Sequence, residues 1–367
     1  MIRGYIHNHR VEDARKLLTE MPHRETVAWN SMILGFVQNG RLEDALDLFT
    51  QMPRPNIVLW NSILQGYVQQ VIGGYQSDET FVLYSHMLQS GFKPDQGTLA
   101  TVIPVCGALA AHAWRRSMHL YAIKVGFESD TVVISSLIPM YAKCGFLNEA
   151  VLVFERMIDR NIVAWNAVIA AQVCHGCAFE ALNRFVSMIN AGFAPDHVTF
   201  TDILTACAHS GLVDEGWKYF KAMQNDWNLI PKPEHCACMV DLLGRSGLLA
   251  EAYELVKQLP VDLPAYTWET LLSCCRVHGN SELGQLVSQK LVNRQPSNVL
   301  ASNIYAAKGM WEDAANTQEK LNHSEFKKEV ACSWIELKGQ VCQFMSNEKS
   351  HPGMKDINTV RKSFCNP

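Results

Sequence analysis

The sequence repeats itself at intervals of 31, 39, 35, 31, 35, 36 and 32 residues, and this near-period constrains the fold more than any single motif. The equivalent positions are Trp29, Trp60, Leu99, Ile134, Trp165, Phe200, Cys236 and Trp268. Three neighbourhoods are close copies: TVAWNSMI at 26–33, IVLWNSIL at 57–64 and IVAWNAVI at 162–169. A second block follows each after a glycine-containing turn, as in GRLEDALDLFTQM at 40–52, GFLNEAVLVFERM at 145–157 and GLLAEAYELVKQL at 247–259. In the first block Trp29, Ile33, Phe36 and Val37 fall at i, i+4, i+7 and i+8, and in the second Leu42, Ala45, Leu46 and Phe49 fall at i, i+3, i+4 and i+7. Both are helical spacings, so each unit is expected to be a pair of amphipathic helices. Asn39–Gly40 and Ser210–Gly211 supply turn chemistry between the two helices. Such a hairpin cannot bury its apolar face alone, whereas stacked neighbours bury it mutually. The expected fold class is therefore all-α, a right-handed α-solenoid with an elongated groove.

Composition narrows the function classes. Hydrophobic residues make up 48% and charged residues 19% of the 367, which is a globular rather than a disordered balance. No run of eighteen apolar residues occurs, so no membrane span is expected. A net charge of −4 argues against gripping nucleic acid through a general basic surface and leaves a local basic groove open. Twelve cysteines spread in ones and twos, several inside apolar helical patterns, read as reduced and mostly buried thiols. The opening MIRGYIHNHRVEDARKLL has a helix-like pattern with acidic residues, and lacks a signal-peptide core or an arginine-rich, acid-poor presequence.

Two short motifs imitate catalytic or metal chemistry. CHGC at 174–177 has the spacing of a redox or metal pair, but it occupies the inter-helix turn where 38–41 has QNGR, and no second CxxC exists. HSE at 323–325 has the H-x-E form of a zinc deaminase, yet only Cys332, Cys342 and Cys365 follow it, never as CxxC. No phosphate-binding glycine loop is present, and GGY at 73–75 lies in an irregular insertion. The expectation is a non-enzymatic protein without metal or other cofactor.

The unit length and the unit tails, QMPRPN at 51–56, GFKPD at 91–95 and GFAPD at 192–196, resemble the plant pentatricopeptide repeat family, in the subclass that mixes short, standard and long repeats. The stretches 233–256, 267–284, 302–315 and 332–352 look like that subclass's last repeats, its extension (E) motifs and the start of E+. The resemblance divides the chain into a truncated repeat at 1–25 and repeats at 26–56, 57–95 (with an insertion), 96–130, 131–161, 162–196, 197–232 and 233–264. E motifs at 265–331 and a partial E+ region at 332–367 follow, without the family's DYW deaminase domain.

What the resemblance implies is binding of single-stranded organellar RNA, one base per repeat. The subclass is associated with C-to-U editing, its E region recruiting a deaminase in trans together with editing accessory factors. The location implied is mitochondrial, with the chloroplast as alternative. A factor for organellar splicing, stability or translation, or a protein-interaction scaffold without RNA target, are the other readings. In the family the fifth and last residues of a repeat read the base while an apolar second residue packs on it. Carried over, these are Val27, Asn30 and Asn56 (pyrimidine), Val58, Asn61 and Asp95 (U), Val132, Ser135 and Asn161 (A), and Val163, Asn166 and Asp196 (U). Val198 and Thr201 stand at the same places in a repeat that departs from the pattern by ending at Lys232. Gly97 and Ala100, and Glu234, Ala237 and Pro264, also depart from it. Positions two and five share a helix face, while position four, the tryptophan, turns about 100° into the core.

Overall fold

The computed structural model describes residues 2–8, 10–21, 26–52, 55–72, 79–109, 112–258, 264–294, 315, 332–337 and 340–345. Nine helical hairpins account for almost all of them. They are α1 (Ile2–His7) with α2 (Val11–Glu20), α3 (Thr26–Gln38) with α4 (Leu42–Thr50), and α5 (Ile57–Ile72) with α6 (Glu79–Gln89). Next come α7 (Gln96–Ala108) with α8 (His112–Lys124), α9 (Thr131–Lys143) with α10 (Leu147–Arg156), and α11 (Ile162–Cys174) with α12 (Ala178–Asn190). The last are α13 (His197–Ser210) with α14 (Val213–Asn225), α15 (Pro233–Arg245) with α16 (Leu249–Gln258), and α17 (Ala265–Val277) with α18 (Ser281–Arg294). The fold is the expected α-solenoid of helix-turn-helix repeats.

The helices belong to two compact units, α1–α10 within Met1–Arg160 and α11–α18 within Asn161–Ala331. In each unit the first helices of successive hairpins stack side by side, α1 on α3, α5, α7 and α9 in one, and α11 on α13, α15 and α17 in the other. Within each unit a second helix packs against its own first helix and, where the unit contains one, the first helix of the next hairpin, so most first helices are covered on several sides. That explains the sequence pattern. The second helices carry a narrow apolar stripe, whereas α5 or α11 is apolar almost all round.

The first helices α5, α7, α9, α11 and α13 start where the last residue of the preceding repeat caps them, whereas Lys232 and Pro264 give α15 and α17 no side-chain cap. Asn56 Oδ1 accepts the Leu59 N–H at 3.0 Å, Asp130 Oδ1 accepts Val132 and Val133 N–H at 3.0 and 2.9 Å, and Asn161 Oδ1 accepts Ala164 N–H at 2.8 Å. Asp95 and Asp196 cap α7 and α13 in the same way. A cap of this kind is worth about 1 kcal/mol. At the other end of α13, Gly211 takes φ +66°, a left-handed conformation that ends the helix, and its N–H bonds the Cys207 carbonyl.

The recurrent tryptophans are core residues. Trp29, Trp60, Trp165 and Trp268 are all buried. Trp60 meets Phe92 with ring centroids 6.1 Å apart, and Trp165 meets Phe193 at 6.0 Å in the next copy of the same contact, so the phenylalanine of each GF tail closes over the tryptophan of its own repeat. Six cysteines, Cys106, Cys144, Cys207, Cys236, Cys274 and Cys275, are buried free thiols. Burial pushes Cys207 up to about 12 and Cys236 and Cys275 up to about 11, so these thiols stay protonated.

The structure adds an element that an all-α expectation omits. Cys332–Leu337 and Gln340–Met345 form β1 and β2 of a two-stranded sheet. The family resemblance places these residues at the start of E+, and CSWIEL and QVCQFM carry the β-branched and aromatic residues that favour a strand. The HSE motif, GGY and the proposed boundaries within 295–331 lie outside the described residues.

Gly107 of α7 lies directly against the α9 backbone. A Cβ on Gly107 would stand 3.1 Å from the Met140 Cα and 3.2 Å from the Lys143 Cβ, and backbone cannot step aside as a side-chain tip can. Gly107→Val is expected to destabilise the protein by about 1–3 kcal/mol. Gly4→Val, where nothing lies within 4 Å, is expected to cost no more than about 0.5 kcal/mol. Thermal or urea melts of the two variants check this.

Candidate nucleic-acid interface

The second residues of the repeats form a set of exposed apolar side chains on the first turns of the first helices. Val27, Val58, Val132, Val163 and Val198 are 50–70% exposed, although each sits one or two residues from fully buried neighbours. Tyr266 on α17 occupies the same place and is 47% exposed. Sequence reasoning did not single it out, because α17 had been assigned to the E motifs; its position three before the register of Trp268 plus one was the available signal. At the corresponding place on α7 stands Gly97, whose missing side chain leaves open the space 3.4 Å from Asn61 Nδ2.

Beside these valines, two repeats build the same hydrogen-bonded bracket. Asn61 Nδ2 donates to Asp95 Oδ1 at 3.0 Å, and the Thr98 hydroxyl donates to Asn61 Oδ1 at 2.6 Å. The Asp95 N–H donates to the Thr98 hydroxyl oxygen at 3.2 Å, and the Thr98 N–H donates to Asp95 Oδ1 at 2.8 Å. In the second copy Asn166 Nδ2 donates to Asp196 Oδ1 at 3.0 Å and the Thr199 hydroxyl donates to Asn166 Oδ1 at 2.7 Å. The Asp196 N–H reaches Thr199 Oγ1 at 3.1 Å and the Thr199 N–H reaches Asp196 Oδ1 at 2.9 Å. The residue after the tryptophan is thus tied to the last residue of its own repeat and to the third residue of the next.

The bracket fixes which way the amide points. Turning the carboxamide over would set its oxygen against a carboxylate oxygen, acceptor against acceptor. A carboxamide carries two N–H donors and an oxygen with two lone pairs. One N–H and one lone pair are used within the bracket, which leaves one of each for another molecule. Burial by itself would raise the Asp95 and Asp196 carboxyls, but hydrogen bonds from Thr98 and Asn61, or Thr199 and Asn166, outweigh it and hold both below the ordinary carboxylate value. A depressed carboxyl contributes stability above the unfolded-state pKa and loses it as pH falls through the folded value, so the bracket is intact at neutral pH.

The other repeats hold only parts of this arrangement. Asn56 caps α5, but Leu59 stands where Thr98 and Thr199 do, and Asn30 Oδ1 is buried with no hydrogen-bond partner among the described residues. Ser135 is buried and its hydroxyl has no partner among the described residues, while Asn161 caps α11. Ala100 offers no amide, and the Gln96 carboxamide reaches Asp130 Oδ1 at 3.1 Å instead, a residue that sequence reasoning missed. Thr201 turns its hydroxyl onto the His197 carbonyl of its own helix at 2.9 Å. His235 occupies the third position there: Lys232 N–H donates to its Nδ1 at 3.0 Å, so the ring proton is on Nε2 and donates to the His197 carbonyl at 2.9 Å. Ala237 and Pro264 provide neither amide nor carboxylate, and the buried Thr267 hydroxyl is left without a partner among the described residues.

One groove carboxyl stands apart. Asp202, one residue beyond Thr201, has Oδ2 buried without a partner among the described residues, and desolvation, reinforced by the Asp196 charge, pushes its pKa up to about 7. No group of three or more His, Cys, Asp or Glu side chains that could hold a metal ion occurs among the described residues, and in the CHGC turn Cys174 is exposed and Cys177 half-buried. No described helix is long and apolar enough to cross a membrane.

Comparison with known proteins places the repeats in register with a family model. The PPR repeat model matches residues 1–25, 27–57, 132–162, 163–193 and 198–227, and the E motif model matches 278–336. Among curated relatives, all from Arabidopsis thaliana, one pentatricopeptide repeat-containing protein is 41% identical over 74% of this chain and 36% of its own length. A mitochondrial one is 38% identical over 78% of this chain and 33% of its length, and the chloroplastic protein DOT4 is 37% identical over 78% and 34%. The chain therefore spans about a third of the length of these relatives. Among solved structures, the pentatricopeptide repeat protein PPR10 from maize is similar with a TM-score of 0.51 at 20% identity, over 89% of this chain and 54% of that one.

Asp202 gives a pH test. A folded-state pKa raised from 3.8 to about 7 means that the native state holds the proton more tightly, so stability from this group falls as pH rises from 3.8 towards 7 and stays low above it. Asp202→Asn is expected to melt higher than the unchanged protein at pH 8, by on the order of 1 kcal/mol or more, with the gap closing towards pH 4. Melting curves across that range decide it; a gap independent of pH contradicts it.

Proposed function

From membership in the pentatricopeptide repeat family, to which this chain belongs, carrying an E motif, we propose that it binds single-stranded RNA in a plant organelle in a sequence-dependent manner and selects a site for C-to-U editing. The observation that carries this reading is the recurrence, in two repeats, of an amide held with one donor and one acceptor free beside an exposed valine. A base needs those two things from a protein: an apolar surface for its face and polar groups for its edge. One such pair per hairpin matches one nucleotide per repeat, and the helix pairs keep the pairs in series.

The reading residues are Val58, Asn61 and Asp95, and Val163, Asn166 and Asp196, both for U. Val27, Asn30 and Asn56 take a pyrimidine, Val132, Ser135 and Asn161 take A, and Val198 and Thr201 add a face with little edge discrimination. The readout is 5′-pyrimidine–U–any–A–U–any–any-3′. Four informative positions select weakly, so further contacts define the full site. In this reading the E region recruits a deaminase in trans, the protein itself supplying position rather than catalysis. Relatives named mitochondrial and chloroplastic support an organellar location.

Titration of labelled single-stranded RNA tests this. RNA with the readout is expected to bind at least about tenfold more tightly than a scrambled strand of equal composition, the worth of one or two base contacts. Asn166→Thr is expected to move the preference at one position from U towards G while leaving the fold, followed by circular dichroism, intact. Equal binding of matched and scrambled strands overturns the assignment. Loss of C-to-U conversion at one organellar site in plants lacking the protein, with transcript splicing and abundance unchanged, separates editing from other RNA roles.

A further inference from the structure

We propose that Thr98 and Thr199 are positioning residues for base discrimination: the hydroxyl of the next repeat's third residue fixes the plane of the reading amide, and so decides whether a repeat tells one pyrimidine from the other. The inference rests on the RNA-reading function proposed above and deepens it. The chemistry follows from base edges. Uracil offers an N3–H donor beside a carbonyl acceptor, and cytosine offers an N3 acceptor beside an amino donor. Turning a carboxamide over exchanges its own donor and acceptor. An amide locked in one orientation suits one pyrimidine, whereas an amide free to turn accepts both.

The aspartate opposes a full turn of the amide but does not fix its plane. The asparagine χ2 torsion is broad, so an amide held only through its nitrogen still swings about that bond and offers its free groups to a base edge at varying angles. The second anchor is the threonine, at 2.6 Å from Asn61 Oδ1 and 2.7 Å from Asn166 Oδ1. Both threonines are fully buried, and each hydroxyl accepts the N–H of the capping aspartate and stands between two acceptors, the asparagine Oδ1 and the aspartate Oδ1 at 2.8 Å for Thr98 and 2.9 Å for Thr199, so it bridges the amide to the cap. The chain supplies its own controls. Where Leu59 replaces the threonine, Asn30 Oδ1 has no partner among the described residues, and where Ala237 and Pro264 replace the asparagine and aspartate, the Thr267 hydroxyl has none among them. The asparagine–threonine bond is made in the two repeats that hold all three residues.

The experiment measures affinity for RNAs that carry U or C at the nucleotide facing the Asn166 repeat, in the full chain and in Thr199→Val, Thr199→Ser and Thr98→Val, each checked for folding by circular dichroism. Thr199→Val is expected to reduce the U-over-C ratio about threefold to tenfold at that nucleotide, the worth of one net hydrogen bond, while leaving the ratio at the Asn61 nucleotide unchanged. Thr98→Val is expected to do the reverse, and Thr199→Ser, which keeps the hydroxyl, to keep the ratio. The double change Asn56→Asp with Leu59→Thr is expected to create discrimination at the Asn30 nucleotide, so the idea does not depend on the valine variants folding. An unaltered ratio in folded Thr199→Val or Thr98→Val, or equal U and C binding in the grafted repeat, overturns the positioning role while the RNA-reading function stands. Absence of any base preference in the unchanged protein overturns both.

Discussion

A single carboxylate oxygen organises each complete hydrogen-bonded bracket. Asp196 Oδ1 caps α13 through the Thr199 N–H and at the same time receives the Asn166 amide from the previous first helix. Neither bond alone is unusual: N-capping aspartates are common, and polar side chains near helix ends find partners. Their coincidence on one atom means that the start of each hairpin is set by the same group that orients the side chain facing the groove. Repeat spacing and side-chain presentation are therefore not independent properties of this chain.

That dependence explains why the exposed valines and the amides keep a fixed relation. The tryptophan at position four is drawn into the core between helices, where Trp60 and Trp165 each meet the phenylalanine of the repeat tail. A residue one step further along the helix turns out of the core and towards the next repeat's cap. The apolar packing thus sets the rotation of the first helix, and the cap sets its start. With both fixed, the free donor and acceptor of Asn61 or Asn166 emerge beside Val58 or Val163.

Much of this was legible in the sequence, because burial and periodicity are local properties written in every repeat. The recurrent tryptophans announced the core, and Trp29, Trp60, Trp165 and Trp268 are buried. The threonines were missed because DQGT at 95–98 and DHVT at 196–199 look like ordinary helix starts, and their decisive bonds go to asparagines 37 and 33 residues earlier. Gln96 was missed for a related reason: it reaches the acid from position one, where no pattern predicts it. The two strands at 332–345 had been read by motif resemblance, which names a segment without stating its backbone. Asp202 carries no sequence signal, since only packing reveals that its oxygen lacks a partner.

The central claim is that a base edge meets a held amide at some repeats and no amide at others. Its most direct test is affinity for RNAs carrying a single 3-methyluridine, which blocks the N3 edge without removing the stacking face, moved one nucleotide at a time along the bound strand. The account predicts about a tenfold loss or more where the methyl group faces Asn61 or Asn166, and little change where it faces Ala100 or Ala237. A uniform tolerance along the strand would contradict it.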